Sequence, residues 1–433
     1  MIGIKKRTLH LILTVAAVVA ICSLLAIAYA TGFNIKIGGV KYYVDNNQAT
    51  VVGYYREEAS IAIPDTVVFV KVTGIAKEAF AEADFLVSLE LGKHVETIGE
   101  KAFYRCRNLE TAILNASLLE IADSAFFGAA KLAAIDLPDN LEIIGAYAFA
   151  NCQNLVSIAI PDKITEIRRG SFSECDRLVE VTLPEGLLSL GDYAFNSCFA
   201  LQTIDLPETL VSLGTHVFYD CQELMAIAIP EGVTMVRTAS FSFCLSLRTV
   251  SLPVSLTQIA GNAFAGCLSL TKIELPDGLE TIGAGAFTGC AAVSEIELPA
   301  SLRSIGDNAF GRMNSLEAIT VAAESADFSS IAGVLYSKSQ DILIAYPVAK
   351  PGSSYVVPAS VTAIRTNAFN GMFANVDGGL RSVDIPATVV EMGASVFLNS
   401  GLSVRVALPE RPAGWHYYWS EGAGEVLWDY DND

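Results

Sequence analysis

The chain is poor in histidine. Four occur in 433 residues, and His10 lies in the first thirty, which leaves His94, His216 and His416. No two are neighbours, and none falls in an H-E-x-x-H or C-x-x-C spacing, so the common sequence signs of a metal site are missing. There is no G-x-S-x-G elbow to expose a nucleophile. The glycines between Gly283 and Gly289 are wrongly spaced for a phosphate loop. Carboxylates are numerous, but no pair is set apart from the rest. The chain therefore reads as non-enzymatic, with no cofactor. Basic residues are also scarce, 28 Lys and Arg against 47 Asp and Glu, for a net charge of −19. Lys5, Lys6 and Arg7 stand in a start free of acid, so the chain from Thr31 onward carries −22. So acidic a surface argues against nucleic acid and anionic membranes as partners and favours solubility.

Long apolar runs are lacking everywhere but at the start. Apolar residues make up 52% of the chain, yet after residue 30 they are spaced, as in a shared core, rather than continuous. Leu9 to Ala30 is uncharged and long enough to span a bilayer, and Ala28-Tyr29-Ala30 has the form of a signal-peptidase site. Residues 1–30 are thus a signal peptide or a signal anchor. Either places the remainder outside the cytoplasm, and the membrane is met only through this segment. The bulky Ile21 before Cys22 disfavours a lipoprotein site.

What the chain does have is a period of 23 residues. Phe recurs without a slip from Phe80 through Phe103, Phe126 and onward to Phe310, and again in the same context at Phe369 and Phe397, giving thirteen units. Pro keeps the period from Pro138 to Pro299, and Cys from Cys152 to Cys290, with Cys106 in the same column. Leu270 to Ala292, LTKIELPDGLETIGAGAFTGCAA, shows the motif L-x-x-I-x-L-P-x-x-L-x-x-I-G-x-x-A-F-x-x-C. A fixed period of this length means a solenoid whose coils bury apolar faces on each other. Thirteen coils at about 4.8 Å each make an array on the order of 60 Å long. Ala83 and Ala129 replace Cys in two units, which fits small buried thiols better than paired ones.

From about Gly38 to Trp428 the motif resembles the BspA-like class of bacterial surface leucine-rich repeats. The repeat length, the I-G-x-x-A-F core and the trailing Cys carry the resemblance. One departure from the general leucine-rich pattern is that Cys comes three residues before the first Leu. The resemblance implies a leucine-rich repeat solenoid, horseshoe-type and β-dominated. It also implies an adhesin that binds a protein or glycoprotein on another cell, on host matrix or in the envelope. The alternative is a structural envelope or spacer protein held by an uncleaved N-terminal helix.

Along the chain, residues 31–60 read as a β-hairpin cap, with Asp45-Asn46-Asn47 as its turn. The array occupies 61–321, a hairpin insert 322–357, resumed repeats 358–409, and an aromatic cap with an acidic tail 410–433. In each unit a strand is expected at L-x-x-I-x-L, such as Leu270 to Leu275, with Ile273 and Leu275 inward and Lys272 and Glu274 outward. A second extended segment is expected near Leu279 to Ile282, and a single helical or 3₁₀ turn around the A-F pair. Gly at I-G alternates with Ala and Arg, so limited room explains it better than positive φ. The outward strand columns contain no Trp, Tyr or Arg, the usual interface anchors. Their charged members Lys272, Glu274, Glu295 and Glu297 remain candidates for contacts, as do the cap aromatics Trp415, Tyr417, Tyr418 and Trp419.

Overall fold

A computed structural model describes residues 32–371 and 379–430. The leader expected at 1–30 and the last acidic residues lie outside them. Contacts divide the chain into a unit ending at Gln153 and one beginning at Asn154.

The first unit opens with three antiparallel strands, β1 (Phe33–Ile37), β2 (Val40–Asp45) and β3 (Gln48–Tyr54). After β4 (Ser60–Ala62) and β5 (Thr66–Val67), β6 (Val70–Ile75) pairs parallel with β3. The ladder then continues in parallel through Thr97–Ile98, Glu120–Ile121 and Ile143–Ile144, each 23 residues beyond the last. A second parallel ladder joins β4, Ser88–Glu90 and Thr111–Ile113. Each coil therefore has two short strands, and their inward residues form the core: Leu89, Ile98 and Ile121 are all but inaccessible.

The second unit repeats this arrangement from Ser157 to Val321. Three antiparallel strands, Phe328–Ile331, Val334–Ser337 and Ile342–Ala345, follow, and the last pairs parallel with Ala363–Ile364 to restart the array. Arg365 Nη1 donates to the Ile305 carbonyl at 2.7 Å and Asn370 Nδ2 to Asn308 Oδ1 at 2.8 Å, which docks the resumed coil against the coil of Phe310. At the C-terminal end Glu425–Trp428 pairs with Ser403–Val406.

Two local expectations need correcting. Leu270 to Leu275 forms no strand, although the same motif positions do so at Thr249–Ser251 and Glu295–Leu298. The burial alternation survives, with Ile273 buried and Lys272 and Glu274 exposed, because core packing holds Ile273 whether or not the ladder closes. Leu275 is only half-buried. The A-F segment is neither helical nor 3₁₀, and the described residues contain no helix at all. It is a run of turns in which alternate amides have different partners. Gly285, Phe287 and Gly289 donate forward to the carbonyls of Asp307, Ala309 and Gly311 in the next coil. Ala286, Thr288 and Cys290 donate back three residues. Two residues per coil must be left-handed to point the amides this way, one two places before the Phe and one two places after it. All thirteen units obey this, from Glu78 and Glu82 around Phe80 to Ser395 and Asn399 around Phe397.

The Phe column is a continuous stack within each unit. Ring centroids lie 5.3 Å apart for Phe80–Phe103 and 5.6 Å for Phe172–Phe195, with planes within 7°. The ends are finished by other aromatics: Tyr54 stacks on Phe80, and Trp419 meets Phe397 edge-on. All eight described cysteines are free and buried. Their Sγ atoms donate to Phe carbonyls of the preceding coil, as from Cys198 to Phe172 at 3.1 Å. Burial pushes the Cys106 and Cys152 thiols up to about 12, which keeps them protonated and inert.

Candidate binding surfaces

Three exposed surfaces present side chains that the core does not use. The first is the outward side of the L-x-x-I-x-L segments. Lys272, Glu274, Glu295 and Glu297 come together there with Asp277 and Thr320 along one open groove of about 400 Å³. Lys272 Nζ lies 2.6 Å from a Glu274 oxygen, and this hydrogen bond raises the lysine pKa and lowers that of the glutamate. Both side chains are three-quarters exposed, so water screens the pair. Among the described residues no three His, Cys, Asp or Glu are placed to hold a metal ion.

The second surface is the C-terminal cap, where the four aromatic candidates separate. Trp415 and Trp419 are 3% exposed. They meet edge to face at 4.7 Å, and Trp415 Nε1 donates to the Val389 carbonyl, so they are cap core and do not reach a ligand. Tyr417 and Tyr418 are 74% and 59% exposed. Their rings pack edge-on at 5.0 Å with the Arg411 guanidinium over Tyr417.

The third surface lies on the turn segments, where the reading of strand columns did not look. Tyr193 and His216 are the left-handed residues two places before Phe195 and Phe218. Their rings stack at 4.8 Å, His216 continues to Tyr219 at 5.4 Å, and Tyr219 meets Phe243 edge-on at 5.6 Å. The Arg169 guanidinium covers the near end, 5.3 Å from the Tyr193 centroid, and Phe243 is 45% exposed at the far end. This is a ladder of aromatic rings across successive coils, closed by a cation. His216 Nδ1 is shielded and has no hydrogen-bond partner, and burial lowers the pKa of the ring against the pull of Asp192. A neutral imidazole stacks between the tyrosines without a charge to solvate. The first unit has a shorter counterpart: Tyr104 stacks on Phe127 at 5.1 Å, with Arg105 and Lys101 over Tyr104. The 23-residue count, applied to positions beside the Phe, aligns Tyr193 with His216 and Tyr104 with Phe127, so the signal was in the sequence.

Two parallel ladders, a stacked aromatic column and one coil per 23 residues define a leucine-rich repeat solenoid. More narrowly, the chain belongs to the BspA-type leucine-rich repeat family, whose six-copy region matches residues 73–178, 142–270, 257–343 and 350–412. A leucine-rich repeat protein of Bacteroides ovatus shares the fold with a TM-score of 0.62, at 21% identity, over 92% of this chain and all of that one. A leucine-rich cell surface protein of Faecalibacterium prausnitzii is 22% identical over 92% of this chain and 96% of its own, with a TM-score of 0.40. No curated protein matches the sequence. No enzymatic family matches among these comparisons.

Proposed function

We propose that the protein is a non-catalytic, exported binding protein that presents its solenoid outside the cell. Its ligand is a protein or glycoprotein on another cell, on host matrix or in the envelope. The observation that carries this reading is the ladder from Arg169 to Phe243. Tyr, Phe and Arg are the residue types enriched at protein interfaces, and here they cluster on rigid coils at little cost in side-chain entropy. The strand surface, with its small and acidic residues, offers no comparable anchor.

The test immobilises the protein against a panel of matrix proteins and surface glycoproteins and measures saturable binding. The double substitution Tyr193→Ala with Phe243→Ala should weaken binding by about 30-fold, the equivalent of ~2 kcal/mol for a lost hot spot. Lys272→Ala with Glu274→Ala should leave it nearly unchanged. Saturable binding that ignores the first pair and collapses with the second would move the site to the strand surface. Absence of saturable binding to any member would sink the reading.

A further inference from the structure

The most exposed large apolar side chain is Phe69, at 100%. It lies at the tip of the hairpin between β5 and β6, where Thr66 pairs with Lys71 and Val67 with Val70. Val68 and Phe69 are the two loop residues, at φ 47° and 69°. A two-residue turn with both centres left-handed is the type I′ hairpin turn, which favours Asn and Gly. The turn between β2 and β3 uses such residues, Asn46 and Asn47 at φ 49° and 61°. The Val-Phe turn instead keeps a β-branched residue where it is strained, and strain held in a fold points to use. Val67 and Val70 are buried, so the tip is held rigidly outward.

The topology says what this tip faces. β1 is antiparallel to β2, β2 to β3, and β3 is parallel to β6, so β1, β3 and β6 run in one direction. The register aligns Phe33, Val44, Ala49 and Val72 across the sheet. The chain therefore enters β1 on the same sheet edge from which the Phe69 tip projects, on the order of 14 Å away across three strand spacings. In the sequence, the apolar stretch Leu9 to Ala30 ends two residues before Phe33 with only Thr31 and Gly32 between. Twenty-two residues of helix span about 33 Å, the thickness of a bilayer core. A chain anchored by that stretch has this sheet edge at the membrane surface. The same edge bears Tyr43, 39% exposed beside Gly32, and the exposed cations Lys71 and Lys93. Aromatic rings with lysines suit the interfacial zone of a bilayer. Residues 32 to 73 balance four basic against four acidic groups, so the whole −22 of the chain beyond the leader falls after residue 73. That charge keeps the coils off an anionic surface while the cap can touch it.

We propose that Phe69 is an interfacial lipid contact: the N-terminal cap rests on the bilayer that holds Leu9 to Ala30, with the ring inserted among the headgroups. One ring is too little to hold a free protein on a membrane, but it fixes the stance of a tethered one. The proposal rests on the anchored form of the exported protein. The full chain, carrying Cys22→Ser and Phe69→Cys, is labelled with an environment-sensitive fluorophore and reconstituted into phosphatidylcholine vesicles. The buried array thiols do not compete for the label. A second protein carries the label through Glu280→Cys, an exposed array position. The expected result is flotation with the vesicles, blue-shifted emission at 69 that spin-labelled lipid quenches, and water-like unquenched emission at 280. Flotation with water-like emission at 69 overturns the lipid contact and leaves the binding function standing. Failure to float removes the anchor itself and the contact with it, again without touching the ligand-binding assay.

Discussion

Gly283 and Gly289 belong to one coil and are glycine for different reasons. Gly283, of the I-G pair, is not left-handed, but a Cβ there would come within 2.4 Å of the Gly261 nitrogen and 2.6 Å of the Ala260 carbonyl carbon. The constraint is the neighbouring coil's backbone, which is why room rather than φ governs this column. Where Ala76, Ala122, Arg168 or Ala260 fills it, the next coil answers with Gly99, Gly145, Gly191 or Gly283. Gly289 has φ 78°, yet its nearest neighbours would stand 3.6 Å from a Cβ, so only the backbone conformation disfavours a side chain. Gly289→Ala should therefore cost about 1 kcal/mol, the usual left-handed penalty. Gly283→Ala should cost more, because two main chains must separate. Urea unfolding of the two variants measures this, and the opposite order would refute the assignment of backbone contact to Gly283.

At the scale of the element, side-chain identity was legible and backbone conformation was not. Phe, Pro and Cys each keep the period, so the inward positions could be counted without a structure. The left-handed pair also recurs in every coil, but Glu78, Lys101, Tyr193, His216 and Arg312 share only φ and leave no common letter to read. Hydrogen bonds to the next coil hold them there, and sequence patterning has no term for that. The same blindness hid the aromatic ladder, because its rings stand on turn positions that vary from coil to coil. The strand at Leu270 to Leu275 failed for the converse reason: its alternation is that of burial, and burial does not require a closed ladder. The Phe stack is the element most open to direct test. Phe195 is inaccessible, with Phe172 at 5.6 Å and Phe218 at 5.7 Å. Phe195→Ala should destabilise by about 3–5 kcal/mol, since rigid rings on both sides prevent the cavity from closing. Thermal melting that matches the parent would contradict the packed stack.

For the whole molecule, a sum of coil-to-coil interfaces predicts that a coil can be removed as a unit. Deleting Leu270 to Ala292 joins Cys267-Leu268-Ser269 to Val293-Ser294-Glu295-Ile296, which restores the motif with Val in place of Leu270 and brings Phe310 in after Phe264. The shortened chain should fold cooperatively with a modestly lower Tm, because one interface of many is lost and no core is opened. Deleting only Leu270 to Thr281 takes fewer residues but throws every later Phe out of its column. That protein should expose core and fail to fold, which circular dichroism and proteolysis would show. If both deletions behaved alike, the stability would not reside in the register. The 23-residue deletion also separates scaffold from site. It removes Lys272 and Glu274 from the strand groove while leaving Arg169 to Phe243 untouched, so ligand binding that survives it must depend on the turn ladder.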